Sequence, residues 1–202
     1  LGIVDIGGVY LTDIDMRGTA ELALDAAFPT GQTLQPGDID VGIEMVVSNG
    51  EFGNMPVVGQ VKNAELAANF DATGASVSGS ADLLGVASNL LVTFDDDSER
   101  VSMRVSAQKS AALAEMMSAR AGIDINGTLA GSIELNSDMQ FGNVLIDVGV
   151  DFSDAGASVP TIGWAKLPGE PGTAAMTLEL DEGRLRRIND ITVTSGSLSA
   201  RG

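Results

Sequence analysis

Apolar residues at every second position constrain this chain more than any other feature. In FGNVLIDVGVDF, residues 141–152, Val144, Ile146, Val148, Val150 and Phe152 fall on one side of an extended chain, with Asp147, Gly149 and Asp151 on the other and Leu145 the exception. Successive side chains of a strand point to opposite faces, so such a stretch reads as a strand with one covered face and offers no coherent helical face. The same period recurs in Leu22, Leu24, Ala26 and Phe28, in Val41, Ile43, Met45 and Val47, and in Val101, Met103 and Val105. It returns in Met176, Leu178 and Leu180, whose opposite side carries Thr177, Glu179 and Asp181.

Short turn sequences separate these runs: PTGQTLQPGD, SNGEFGN, DATGAS, FDDDSE, NSDMQFGN and LDEG. Glycine, asparagine and aspartate supply the positive φ and the side-chain turn bonds of hairpins, so the chain reads as an antiparallel meander. Strands of about 8–12 residues, rising about 3.3 Å each, would be roughly 25–40 Å long. One segment differs. SAQKSAALAEMMSARAG, Ser106 to Gly122, is rich in helix formers, with Leu113, Met116 and Met117 at helical spacing and Gly122 placed as a C-cap. This predicts a helix over 106–122, between a first β unit, 1–105, and a second, 123–202. Glycines inside strands, such as Gly127 and Gly131 and those of GASVSGSADLLG, mark bends or close backbone approach and favour a strongly curved sheet.

Composition narrows the function. A net charge of -17 accompanies 44% hydrophobic residues and a mean hydropathy of +0.19, so the chain folds and keeps its charge at surfaces and turns. The acidity excludes a nucleic-acid partner, because Arg184, Arg186 and Arg187 form the longest basic cluster. Without cysteine there are no disulfides or thiolate metal sites; without histidine the commonest general base and metal ligand are missing. No apolar run approaches the roughly 18 residues of a membrane span, so any anchor is expected outside these residues. The chain opens on Leu1 without a start methionine or signal pattern, and is read as an excerpt of a longer protein.

Candidate chemical motifs each favour a structural reading. Asp95, Asp96 and Asp97 lack the spaced ligand pattern and glycine pivot of a calcium loop and read as a solvated hairpin tip. Paired catalytic carboxylates would need sugar-stacking rings and an apolar pocket, and aromatics are 4% of the chain. No phosphate-binding glycine motif occurs, and GASVSG around Ser76 and Ser78 has neither the spacing nor the histidine of a serine nucleophile. Asn126-Gly127-Thr128, a formal glycosylation sequon, reads as a turn or strand start. The apolar faces could close into an ordinary sandwich core or could line a groove; an aliphatic lining without polar anchors suits acyl chains.

The C-terminal part decides between them by resemblance. Pro160, Ile162, Gly163, Trp164, Lys166, Gly169, Glu170 and Pro171, followed by Gly183, Leu185 and Ile188, resemble a motif of the AsmA-like region of YhdP-type envelope proteins, in the AsmA/TamB superfamily. Phe152 stands where that family often has leucine. The match covers about the last 60 residues, Leu145 to Gly202. It implies a long, curved, taco-like antiparallel sheet with an apolar concave face, in a periplasmic protein anchored in the inner membrane by a segment outside this chain. It also implies that GWAKLPGEPG joins two adjacent long strands, with Trp164 capping the apolar interior and Lys166 and the Pro-Gly pairs forming a rigid turn.

The expectation is therefore a mainly β, curved, groove-like sheet with one helix, forming part of a bridge that carries phospholipid toward the outer membrane. Val144, Ile146, Val148, Val150, Phe152, Met176, Leu178 and Leu180 are the expected lining, with Pro160, Gly163, Trp164, Lys166, Gly169, Pro171 and Gly183 structural. No catalytic residue, metal or cofactor is expected, and the partners are phospholipid and neighbouring β repeats of the same chain. A structural or adhesive secreted β module with a closed core is the alternative.

Overall fold

A computed structural model of the chain describes residues 5–6, 9–10, 15–28, 40–55, 59–121, 123–196 and 198–202. The predicted C-cap at Gly122 lies outside them. Two short strands, β1 (Asp5–Ile6) and β2 (Val9–Tyr10), pair with each other. Six long strands follow: β3 (Met16–Ala27), β4 (Asp40–Met55), β5 (Gly59–Asp71), β6 (Gly74–Leu83), β7 (Val86–Asp95) and β8 (Arg100–Ser110). Helix α1 (Ala111–Ala121) leads to β9 (Asp124–Asn126), β10 (Leu129–Asp138), β11 (Asn143–Asp151), β12 (Gly156–Val159) and β13 (Trp164–Lys166). The chain closes with β14 (Gly172–Asp181), β15 (Arg184–Ser195) and β16 (Leu198–Arg201).

Eleven of these strands form one open antiparallel sheet in the order β16-β15-β14-β11-β10-β8-β7-β6-β5-β4-β3. Almost every neighbour in space is a neighbour in sequence, as the turn chemistry requires. Glu182 (φ 47) and Gly183 (φ 73) make the two-residue turn between β14 and β15, and Leu84 (φ 54) and Gly85 (φ 81) the one between β6 and β7. The sheet is not closed, and β8 pairs directly with β10, so the predicted first and second β units are halves of one sheet.

Helix α1 is shorter than predicted. Ser106 to Ser110 remain strand: Ser106 and Ala107 pair with β7 on one side and β10 on the other, and Ser110 pairs with Leu129 of β10. The Leu113 backbone N–H donates to the Ser110 hydroxyl at 3.3 Å, so Ser110 is the N-cap and the helix starts at Ala111. Helix propensity in SAQKS thus yields to sheet pairing, on both sides at Ser106 and Ala107 and with β10 at Ser110.

Bulges bend the sheet. Register shifts occur beside Asn49 (φ 52), Asn63 (φ 49) and Asp190 (φ 51), each in the left-handed region that Asn and Asp tolerate. Such bulges add local twist and bend, which is consistent with a curved sheet. Most apolar-face residues of its central strands are half-buried or buried, Ile133 at 40% exposure being an exception, whereas Leu91 and Val46 on the other face are 41% and 49% exposed.

Aspartates anchor the hairpin ends. The Thr73 hydroxyl and backbone N–H hold the Asp71 carboxyl below its ordinary 3.8, as the Ser98 hydroxyl and N–H do for Asp95. The Gly142 and Asn143 backbone N–H groups lower Asp138, and the Ser153 hydroxyl and N–H lower Asp151. A carboxyl depressed in the folded state stabilises the fold above its unfolded pKa and stops doing so as pH falls through the folded value. Urea midpoints should therefore stay level from neutral pH down to about pH 4.5, then fall steeply below about pH 4. Asp138→Asn should flatten part of that fall.

A candidate apolar groove

Antiparallel register brings the alternating residues of every long strand into continuous rows. One row runs Ile188, Leu178, Ile146, Leu135, Met103, Val92, Val77, Ala68, Met45, Leu22, each paired with the next across β15 to β3. The row beside it runs Met176, Val148, Ile133, Val105, Leu90, Gly79, Leu66, Val47, Ala20. On the other side, Leu180 pairs with Val144, Val144 with Ser137, and the row passes through Val101, Phe94, Ala75, Phe70 and Ile43 to Leu24. Ten strands about 4.8 Å apart make this apolar track roughly 43 Å long.

The opposite face is polar and cross-linked. Arg104 and Glu134 form an ion pair at 3.0 Å, Thr177 donates to Asp147 at 2.5 Å, and Asn189 donates to Glu179 at 2.7 Å. This polarity difference orients the sheet: one side can face water everywhere, the other cannot without exposing a broad apolar strip.

All eight sequence-predicted lining residues lie on this apolar face or at its end. Val144 pairs with Leu180, Ile146 with Leu178 and Val148 with Met176. Val150 pairs with Ala174, and Phe152 lies just beyond the end of β11. Their surroundings differ, however. Val150 and Phe152 pack with Leu113 and Met117 of α1 against a cluster of Ala114, Leu129 and Ala155. Leu113 sits over Gly131, where a Cβ would come within 3.1 Å of its Cδ2, so the glycine lets the helix lie down on the sheet. Helix α1 thus fills one end of the track, and Val150 and Phe152 are core beneath it. Val144, Ile146, Val148, Met176, Leu178 and Leu180 remain on the open part.

Sequence reasoning missed the continuation of the groove beyond β11, through β10 and into the N-terminal strands. Leu135, Ile133, Val92, Leu90, Val77, Leu66 and Phe70 belong to the same rows. The alternation of β3, β4 and β8 was a signal for this, but which strands adjoin is set by topology. A second cluster, Val61, Ala64 and Ala81 with Phe52, Leu66, Leu83 and Leu90, lies at the matching end of the N-terminal strands β4 to β7.

The motif residues from Pro160 to Pro171 build the connection from β11 to β14, which are adjacent strands as the resemblance implied, and Gly183 lies in the turn from β14 to β15. That connection is more than a turn: β12 pairs with β13 and with β9 in a separate three-stranded sheet. Pro160 opens a 3-10 turn that Gly163 (φ 67) ends, and Leu167-Pro168-Gly169-Glu170 closes through the Glu170 N–H on the Leu167 carbonyl, with Gly169 at φ 87. Pro171 precedes β14 and is exposed. Trp164, expected as the cap of the interior, is half-buried opposite Val159; Phe152 is the ring that joins the apolar cluster. Lys166 is 4% exposed, and its Nζ donates to the carbonyls of Ser153, Ala155 and Leu167 at 3.1, 2.8 and 3.0 Å.

Among the described residues no group of three or more acidic side chains is arranged to hold a metal ion, and no helix is long and apolar enough to cross a membrane. No protein-family model matches the chain, and comparison with curated proteins and with solved structures finds no similar one.

Proposed function

We propose that this chain is a segment of a bridge-like lipid carrier, and that its apolar face holds phospholipid acyl chains while head groups stay in water. The observation that carries this reading is the run of apolar residues through ten paired strands on one side of an open sheet. Among the described residues, the apolar clusters place only α1, Ile125 of β9 and Ala155 of the β11–β14 connection against that face from outside the sheet, all at one end of it. An ordinary sandwich would cover such a face with a second sheet. Aliphatic and methionine side chains, Met45, Met103 and Met176 among them, offer contact area without fixed geometry, which suits chains that slide. The motif around Trp164 and Lys166 supports placing the protein in the periplasm, tied to the inner membrane by a segment elsewhere and passing lipid toward the outer membrane. On this reading the protein is not an enzyme, and it binds no cofactor.

Native mass spectrometry of the purified chain, followed by organic extraction, tests the proposal. The expected result is phospholipid bound to the wild type and at least about tenfold less in Val148→Asp or Leu178→Asp, because a carboxylate on an acyl-lined path costs several kcal/mol. Strand pairing, read by circular dichroism, should persist in both variants. A wild type that is free of lipid and takes up no fluorescent phospholipid would refute the carrier and favour a structural or adhesive role.

A further inference from the structure

Both edges of the sheet are unfinished, and they fit each other. Edge strand β3 pairs only with β4 among the described residues, and all its residues are exposed. At the other edge, β16 covers Thr192 to Ser195 of β15, and Gly202 bonds the backbone of Ile191, which among the described residues leaves the outer side of Arg184 to Asp190 unpaired. The apolar rows do not fade toward either edge. They end on Leu22 and Leu24, 67% and 64% exposed, and on Leu185 and Ile188, 57% and 46% exposed. Soluble sheets usually blunt an edge with lysine, proline or an inward-pointing charge, and the apolar side of β3 carries none of these.

We propose that copies of this chain join head to tail, the β15 edge of one adding to the β3 edge of the next. Direction permits it: nine successive antiparallel pairings separate the two strands, so β15 and the incoming β3 run antiparallel when copies follow one another along the sheet. Register permits it too. Continuing the rows sets Leu185 opposite Leu24 and Ile188 opposite Leu22 of the next copy, with the bulge at Arg186 absorbing the one-residue difference, as it does against β14. On the polar face this places Arg184 opposite Asp25 and Arg187 between Asp25 and Glu21. Arginines on one edge meet carboxylates on the other, whereas β3 against β3 in the register that pairs Glu21 with Glu21 would oppose like charges. Such a heterologous contact does not close on itself at two copies, so it gives open chains whose apolar rows run on from copy to copy. The proposal is independent of what the groove carries.

Sedimentation velocity across a concentration series tests it. The expected result is a mean mass that keeps growing past the dimer at low salt and is roughly tenfold harder to reach at high salt, where edge charges are screened. Arg184→Glu/Arg187→Glu and Glu21→Arg/Asp25→Arg alter only exposed side chains, and each double variant alone should stay monomeric. Mixed in equal amounts, they should restore long assemblies, since each then presents the charge that the other needs. A monomeric wild type, a limiting dimer, or assembly that survives the β15 variant would overturn the proposal; the last two would indicate pairing through β3 alone or through the apolar faces.

Discussion

Replacing Lys166 with alanine will lower stability by about 3–5 kcal/mol, one of the two largest effects expected of a single substitution in this chain. The ammonium is buried and gives its three protons to three carbonyls of the β11–β14 connection, those of Ser153, Ala155 and Leu167. Alanine leaves those acceptors without donors and opens a void beside Phe152, whose ring centroid lies 5.7 Å from the nitrogen. Lys166→Met restores the stem and not the donors, and should cost about 2–3 kcal/mol. Trp164, two residues away and the only tryptophan, gives a local readout. Its fluorescence should change at lower urea concentration than the circular dichroism of the sheet, because the connection loosens before the strands part. A loss below about 1 kcal/mol in Lys166→Ala would show that water reaches these carbonyls and that the lysine is not what holds the connection.

That result bears on what the sequence could reveal. Alternation and turn residues made the antiparallel sheet legible, because the two-residue period and the φ of Glu182-Gly183 are local properties. The faces of β11 and β14 were legible for the same reason, and their six open-groove residues fall where the period puts them. What escaped was set by contacts distant in sequence. Nothing local says that neighbouring strands will keep Ser106 to Ser110 in the sheet, so their composition reads as helix. Nothing local says that α1 will lie on Gly131 and bury Val150 and Phe152, which their alternation alone assigns to an open face. Lys166 looked like part of a polar turn; only the folded connection turns three carbonyls toward its nitrogen.

Gly79→Ala should be comparably damaging, at about 3–4 kcal/mol, for a reason that no side-chain contact reveals. Gly79 occupies the apolar row between Leu66 and Leu90 and has φ +151, and a Cβ there would lie 2.0 Å from the Glu65 carbonyl oxygen. Backbone cannot yield as a flexible side chain can, so β5 and β6 must move apart at the middle of the groove. Leu66 and Leu90, which pack against Val61, Ala64 and Ala81, would move with them. Gly85→Ala is the control: Gly85 also has positive φ, +81, but a Cβ there meets nothing within 4 Å. It should cost only the left-handed strain, about 1–2 kcal/mol. Urea unfolding of the two variants side by side separates steric exclusion from backbone strain. If both lost the same amount, the close approach of β5 to β6 at Gly79 would not be a determinant of the fold. A larger loss at Gly79, with lipid binding weakened in the same variant, would tie the glycine to the shape of the groove floor.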